Sequence, residues 1–344
     1  MLNILSVKNF TAFGELRMEC APGLNVLIGR NGTGKSHLLK LLYAVCAAKR
    51  DPSSADTDAL ARSLTDKLVG VFKPEQKIGR LCRDGTDKTT ISVEFALDKA
   101  VGFGFSGDMK EVTVTDNKDY EKYSWEACFI PPKEMLSSFP GFSALYTDRK
   151  LTIDETYFDL CQALELPELK TVPAEPVGRL LSLIEESCGG RFLLMKKRFY
   201  YKPKHGRMLE VELSAEGYRK LGVLHRLMQT GRINPGVSGP LFWDEPEANL
   251  NPSLMKDVVT VLVELARAGQ QVFVATHDYV ILKWIDLLTQ ETDQVRYHSL
   301  DQSETGAILN STADYLQIHP NAIDDTFAEL VDKDVEESMG GLGK

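Results

Sequence analysis

The sequence predicts an α/β fold, and three features predict it. A short apolar run at 24–28 passes through a glycine-rich loop into an apolar helix at 37–48, the strand–loop–helix order of an α/β unit. From 240 to 300, apolar runs alternate with helical patterns, which implies parallel strands covered by helices. Residues 4–10 and 15–20 alternate polar and apolar side chains, as antiparallel strands do.

The remaining elements follow in order. Residues 49–66 carry Pro52, serines and aspartates, and read as a polar surface excursion. Strand patterns return at 89–97, 111–115 and 124–130, and Pro131-Pro132 ends the series. From 133 to 187 the pattern turns helical, with apolar residues three and four apart in 154–164 and 177–187 until Gly189-Gly190 stops it. Residues 191–201 and 208–213 read as a hairpin joined by a polar Pro203-Lys204-His205-Gly206 turn, and 216–229 as a helix. Strands at 240–244, 271–275 and 295–300 then alternate with helices at 252–268 and 279–288. An acidic helix near 322–337 gives way to a glycine-rich tail expected to be disordered. No internal repeat and no long heptad run is present.

Composition bounds the function. The 344 residues, 43% hydrophobic, suffice for one large domain or two smaller ones. A net charge of −9 argues against a protein coated in nucleic acid, although a local basic patch is compatible with it. Cysteines 20, 46, 82, 128, 161 and 188 form no CxxC pair, so reduced thiols are expected rather than a zinc site or a disulfide framework. The N-terminus MLNILSVKNF lacks the apolar run of a signal peptide, and no stretch approaches the roughly 18 apolar residues of a membrane span. A soluble, cytoplasmic protein with no membrane partner is the expectation.

The chemistry is concentrated in three motifs. Gly29-Arg30-Asn31-Gly32-Thr33-Gly34-Lys35-Ser36 fits the phosphate-loop pattern GxxxxGK[ST], with the strand before it and the helix, opening at His37, after it. Its glycines let backbone N–H groups turn toward phosphate oxygens, and the helix N-terminus adds positive potential. Lys35 is placed for the β- and γ-phosphates of ATP, and Ser36 for Mg²⁺. Leu241-Phe242-Trp243-Asp244-Glu245-Pro246 brings two carboxylates to a strand end: Asp244 for magnesium, Glu245 as general base for the attacking water. Val272-Phe273-Val274-Ala275-Thr276-His277-Asp278 delivers His277, which in neutral form can bond the γ-phosphate or the lytic water. Trp243 reads as core packing, and nothing in the sequence gives Glu247 a role.

The ordered series of phosphate loop, DEP, Ala248-Asn249-Leu250-Asn251-Pro252 and THD resembles the Walker B, D-loop and switch-histidine series of ABC-type ATPases. The Asn9-Phe10 opening and the Gly-Arg-Asn-Gly loop resemble the RecF, SMC and OLD branch, and residues 129–134 with 241–251 resemble compact AAA-like members often encoded beside phage-defence or toxin effectors. The resemblance implies a P-loop NTPase fold: an ABC-ATPase head built from 1–48 and 208–310, a β lobe at 49–132, a helical insertion with a basic hairpin at 133–207, and a C-terminal helix and tail at 311–344. It also implies a head-to-tail dimer, in which a signature segment caps the ATP held by the opposite copy. The candidate is Leu213-Ser214-Ala215-Glu216-Gly217-Tyr218-Arg219-Lys220, with Ser214, Glu216 and Gly217 as the contacts; Ala215 stands where a serine is usual. Lys133 or Glu134 replaces the Q-loop glutamine and could approach the magnesium or the lytic water. His37 and the 9–13 segment lie on the expected nucleotide side, where Phe13 is either a ring on the adenine or a core aromatic.

Residues 195–207 interleave cations and aromatics, which suits either a nucleic-acid surface or a solvated hairpin. Two functions are therefore expected in competition. One is a regulatory ATPase that scaffolds an effector encoded nearby; the other is a RecF-like DNA repair or maintenance ATPase. A transporter subunit fits less well, given the RecF-like opening.

Overall fold

The computed structural model describes residues 1–51, 56–75, 77–123, 125–149, 151–170 and 175–340. The chain opens with an antiparallel pair, β1 (Leu2–Phe10) and β2 (Phe13–Glu19), closed by a two-residue turn in which Phe10 pairs with Phe13. β3 (Leu24–Gly29) follows, buried throughout, as a strand covered on both faces must be. It leads into α1 (Lys35–Ala47).

The expected polar excursion is where the structure first departs from the sequence reading. After 52–55, which lie outside the described residues, α2 (Thr57–Phe72) forms. The Asp56 side chain accepts from the backbone N–H groups of Asp58 and Ala59, and Leu60, Leu64, Leu68 and Val71 bury one face against α1. β4 (Lys88–Phe95), β5 (Lys99–Ser106) and β6 (Thr113–Lys118) then form a meander. β5 escaped the sequence reading because Gly102 and Gly104 interrupt its apolar pattern; at Gly104 a Cβ would lie 2.7 Å from the Thr89 carbonyl oxygen.

β7 (Cys128–Ile130) precedes three helices: α3 (Phe142–Arg149), α4 (Glu155–Glu165) and α5 (Val177–Ser187). The expected start of β7 at Ser124 lies outside the described residues. A small sheet follows, β8 (Gly190–Met195), β9 (Arg198–Pro203) and β10 (Leu209–Glu210). Its tight turn is Lys196-Lys197, both with positive φ (49° and 61°), and the 203–206 segment joins β9 to β10 instead. Two lysines in left-handed backbone carry no Asn-Gly signal, so the turn was invisible to composition.

α6 (Glu216–Gln229), β11 (Leu241–Asp244), α7 (Pro252–Arg267), β12 (Val272–Ala275), α8 (Tyr279–Leu288) and β13 (Val295–Ser303) supply the expected alternation. β14 (Gly306–Thr312), which the sequence reading missed, and α9 (Ala322–Gly340) complete the chain. The glycine-rich tail at 341–344 lies outside the described residues.

Among the described residues, eleven strands form one sheet in the order β6-β5-β4-β1-β2-β14-β13-β3-β12-β11-β7. The 49–132 block thus contributes to both edges: β4–β6 extend the sheet beyond β1, and β7 lies beside β11. The run β13-β3-β12-β11-β7 is parallel. Its side chains alternate between two cores. Val26, Trp243 and Val274 face the cluster containing α5 to α8, and Leu27, Phe242 and Phe273 face the cluster containing α1 and α2.

Candidate active site

The parallel register decides which motifs meet. Asp244 pairs with Ala275, and Ala275 with Leu27, so three adjacent strands end together beneath the glycine-rich loop. Ligands of open α/β sheets sit at this end.

The loop is tied together from inside. Lys35 Nζ donates to the carbonyl oxygens of Gly29 (2.7 Å) and Arg30 (3.1 Å), and Thr33 Oγ1 donates to Arg30 (2.8 Å). Burial pulls the Lys35 ammonium below its ordinary range, against the carboxylates of Glu245, Asp244 and Glu247. Arg30, Asn31 and Gly32 face solvent, and a Cβ at Gly32 would meet nothing within 4 Å. Gly34 is the constrained position: its φ is 96°, and a Cβ there would lie 2.5 Å from Phe13 Cζ. Gln302, unsuspected from sequence, donates from Nε2 to the Gly32 carbonyl oxygen at 3.0 Å.

Of the two readings of Phe13 the core aromatic stands: it is fully buried beneath Gly34, and the adenine-stacking alternative falls. His37 is half-buried, with Nδ1 3.1 Å from Thr11 Oγ1 and its ring edge-on to Phe72. Burial, then the Lys40 charge, lowers its pKa, so it stands neutral beside the 9–13 segment.

Ser36 Oγ donates to Asp244 Oδ1 at 3.1 Å, across 208 residues of chain. Burial pushes the Asp244 carboxyl up to about 6; the Ser36 bond opposes this and the charge on Glu245 adds to it. A hydroxyl–carboxylate pair of this kind fits a hard cation such as Mg²⁺ that keeps its other oxygen ligands from phosphate and water.

Glu245 begins the turn after β11 with φ 48°, its backbone N–H held by the Ala275 carbonyl oxygen at 2.9 Å. Its Oε1 lies 3.6 Å from His277 Nδ1, and both side chains are partly open to solvent. Glu247, which sequence reasoning left without a role, is buried beneath them, with Oε1 3.4 Å from His277 Nδ1. Burial raises its pKa.

The signature candidates contact the segment that follows the Glu245 turn. Ser214 Oγ donates to Val211 O, and Asn249 Nδ2 donates to Glu216 Oε1 at 2.9 Å. Gly217 packs against Leu250 and Leu254. Among the described residues none of the three is hydrogen-bonded to the phosphate loop. Ser214 does not cap α6; Ala215 holds that position without a side-chain bond. Lys220, fully buried on α6, donates to the carbonyl oxygens of Glu245 (2.7 Å) and Ala248 (2.9 Å), and burial pulls its pKa down to about 8.

Of the two Q-loop candidates, Glu134 is not a free ligand. Glu134 is buried, accepting from the N–H groups of Leu136 (2.7 Å) and Ser137 (3.2 Å), from the Ser137 hydroxyl (2.5 Å) and from Arg219 Nε (2.7 Å). Its carboxylate is committed to its own loop and to Arg219 of α6, and Lys133 is exposed.

The family described as "AAA ATPase domain" matches residues 1–167, and that described as "AAA domain, putative AbiEii toxin, Type IV TA system" matches residues 199–283. The DNA replication and repair protein RecF of Staphylococcus aureus, in strains JH9 and Newman alike, is 36% identical over 59 residues. That match covers 17% of this chain and 16% of the relative. Two solved structures share the fold. The SMC head domain from Thermotoga maritima has 14% identity and a TM-score of 0.52, covering 91% of this chain and 99% of that one. An SmcHead bound to the C-winged helix domain of ScpA has 13% identity and a TM-score of 0.57, covering 90% and 97%. The chain thus carries AAA ATPase family matches over residues 1–167 and 199–283 on an SMC-head-like fold, with its glycine-rich loop, DEP turn and His277 converging at one sheet end.

Proposed function

We propose that the chain binds and hydrolyses ATP with Mg²⁺ in a site completed by a second copy set head to tail. On this reading, ATP-dependent pairing in the cytoplasm regulates or scaffolds a partner effector, a nuclease or toxin encoded nearby, in anti-phage defence. The observation that carries the catalytic part is the Ser36–Asp244 bond of 3.1 Å beside the Glu245–His277 approach of 3.6 Å.

Backbone N–H groups of residues 29–37 and the Lys35 ammonium hold the phosphates. Ser36 and Asp244 hold the magnesium, which when bound neutralises charge on the transferring phosphoryl group. Glu245 takes the proton of the attacking water, and His277 contacts the terminal phosphate or that water. Ser214, Glu216 and Gly217 serve the opposite copy's nucleotide, where the uncapped start of α6 suits a phosphate. The effector part is supported by the toxin–antitoxin description of the matched family and by α9, whose Phe327, Leu330, Val331 and Val335 stand exposed.

The test is turnover and assembly of the purified chain. Lys35→Ala abolishes nucleotide binding, and Glu245→Gln accumulates an ATP-bound dimer with little hydrolysis. Tight ATP binding by the first variant, or normal turnover by the second, overturns these assignments. Co-purification of a neighbouring gene's product tests the effector role.

A RecF-like reading is supported by the short RecF match and by the exposed Lys196, Lys197 and Arg198 at the β8–β9 turn. It requires salt-dependent DNA binding by the chain alone, lost when those three charges are neutralised.

A further inference from the structure

Glu247 lies three residues beyond Asp244, in a turn closed by the bonds Ala248 N–H to Glu245 O (3.1 Å) and Leu250 N–H to Glu247 O (2.9 Å). That turn is complete without the Glu247 side chain. Yet the carboxyl, only 6% exposed, reaches across to the end of β12. There its Oε1 accepts from the Thr276 hydroxyl (2.9 Å) and from the His277 backbone N–H (3.0 Å), 3.4 Å from His277 Nδ1. The Thr276 hydroxyl in turn accepts from the Asp278 backbone N–H at 3.1 Å, so one carboxyl oxygen organises three successive residues.

The other oxygen, Oε2, is buried and has no hydrogen-bond partner. A carboxylate in that position is costly unless polar hydrogens or a cation lie close. The His277 imidazole lies beside the same carboxyl group, which the buried ammoniums of Lys220 and Lys35 also feel through its charge. Glu245 reaches His277 Nδ1 from its more open side, at 3.6 Å. Both carboxylates thus converge on Nδ1.

We propose that Glu247 is the positioning residue for His277: its carboxylate keeps the proton of the neutral imidazole on Nδ1 and fixes the ring, so that Nε2 is presented to the nucleotide without a proton. In that state Nε2 accepts a hydrogen bond, which suits the attacking water; it donates to a phosphate oxygen only after taking up a second proton. In metal sites a carboxylate sets the orientation and tautomer of a ligating histidine in this manner, and removing it there costs about 10- to 100-fold in metal affinity or activity.

For its catalytic consequence the proposal rests on the ATPase reading, but its primary readout does not. Nitrogen-15 NMR of the full chain without nucleotide, above the titration range of histidine, reports which ring nitrogen carries the proton; comparison with His277→Asn identifies the signal. The expected result is a proton on Nδ1 in the native protein and a shift toward Nε2 in Glu247→Gln, which keeps the acceptor but not the charge. The same variant should lose about 10-fold or more in kcat with KM for ATP changed less than about 2-fold. A proton on Nε2 in the native protein overturns the proposal, even if Glu247→Gln does not fold. So does a folded Glu247→Gln with an unchanged tautomer. Absence of ATP hydrolysis with the expected tautomer would instead count against the ATPase reading alone.

Discussion

Lys220 and Glu245 are joined by a buried hydrogen bond, the lysine Nζ donating to the glutamate carbonyl oxygen at 2.7 Å, with a second bond to Ala248 at 2.9 Å. Through it α6, which begins at the signature candidates, holds the backbone of the turn that carries the proposed base. Lys220→Met keeps the aliphatic length and removes both bonds. We expect hydrolysis to fall at least about 10-fold while ATP affinity stays within about 3-fold, because the lost contact shapes Glu245 rather than the phosphate loop. Parallel turnover and equilibrium-binding measurements check this; equal losses in both would show that α6 supports the whole site.

The buried Glu134–Arg219 pair makes a separate test of the same helix. Glu134→Ala removes the charge partner of the Arg219 guanidinium, only 13% exposed at its side chain and otherwise bonded to the Ser214 carbonyl oxygen, and leaves the N–H groups of Leu136 and Ser137 without their acceptor. Destabilisation of about 3–5 kcal/mol is expected in denaturant unfolding. Glu134→Gln retains acceptors for the backbone and should cost less. If Glu134 served the magnesium instead, both variants would lose metal dependence and keep stability.

At Gly34, φ of 96° and the Phe13 ring both oppose a side chain. Gly34→Ala should destabilise the protein by about 1–3 kcal/mol and abolish nucleotide binding. Adding Phe13→Leu relieves the contact but not the backbone strain, so thermal stability recovers in part. Full recovery would mean that the left-handed backbone is not required there.

Acid should weaken the fold through His298. Its ring is buried in β13, with Nδ1 2.8 Å from Ser311 Oγ and Nε2 3.3 Å from Asn25 Oδ1. Burial, then the Arg296 charge, pulls its pKa down to about 3. Between about pH 6.5 and 3 the unfolded chain binds a proton that the native one does not. The stabilisation is therefore full above about pH 6.5 and is lost as pH falls toward 3, with a slope of up to about 1.4 kcal/mol per pH unit. Unfolding titrations of His298→Gln should show a shallower acid limb, whatever its stability at neutral pH.

Much of the architecture was legible because local patterns and final environment agree. α6 and α8 occupy the spans expected for them, and β3, β11 and β12 read as buried strands and are buried. Elsewhere local and tertiary signals part. α2 carries a polar surface that hid its buried face, glycines obscured β5, and the β8–β9 turn uses two lysines where composition pointed to Pro203-Lys204-His205-Gly206.

By itself the sequence determined the phosphate loop and its flanking strand and helix, because eight consecutive residues carry both the backbone freedom and the lysine and serine that the motif needs. It also determined that Asp244, Glu245 and His277 stand at strand ends. Tertiary structure alone decided what each side chain touches. Ser36 reaches Asp244 across 208 residues, Glu134 turns to Arg219 across 85, and Glu247 turns to Thr276 across 29. Those distances depend on strand register and helix packing, which no local pattern encodes, and they turned Phe13 into a support for the loop and Glu247 into a neighbour of His277.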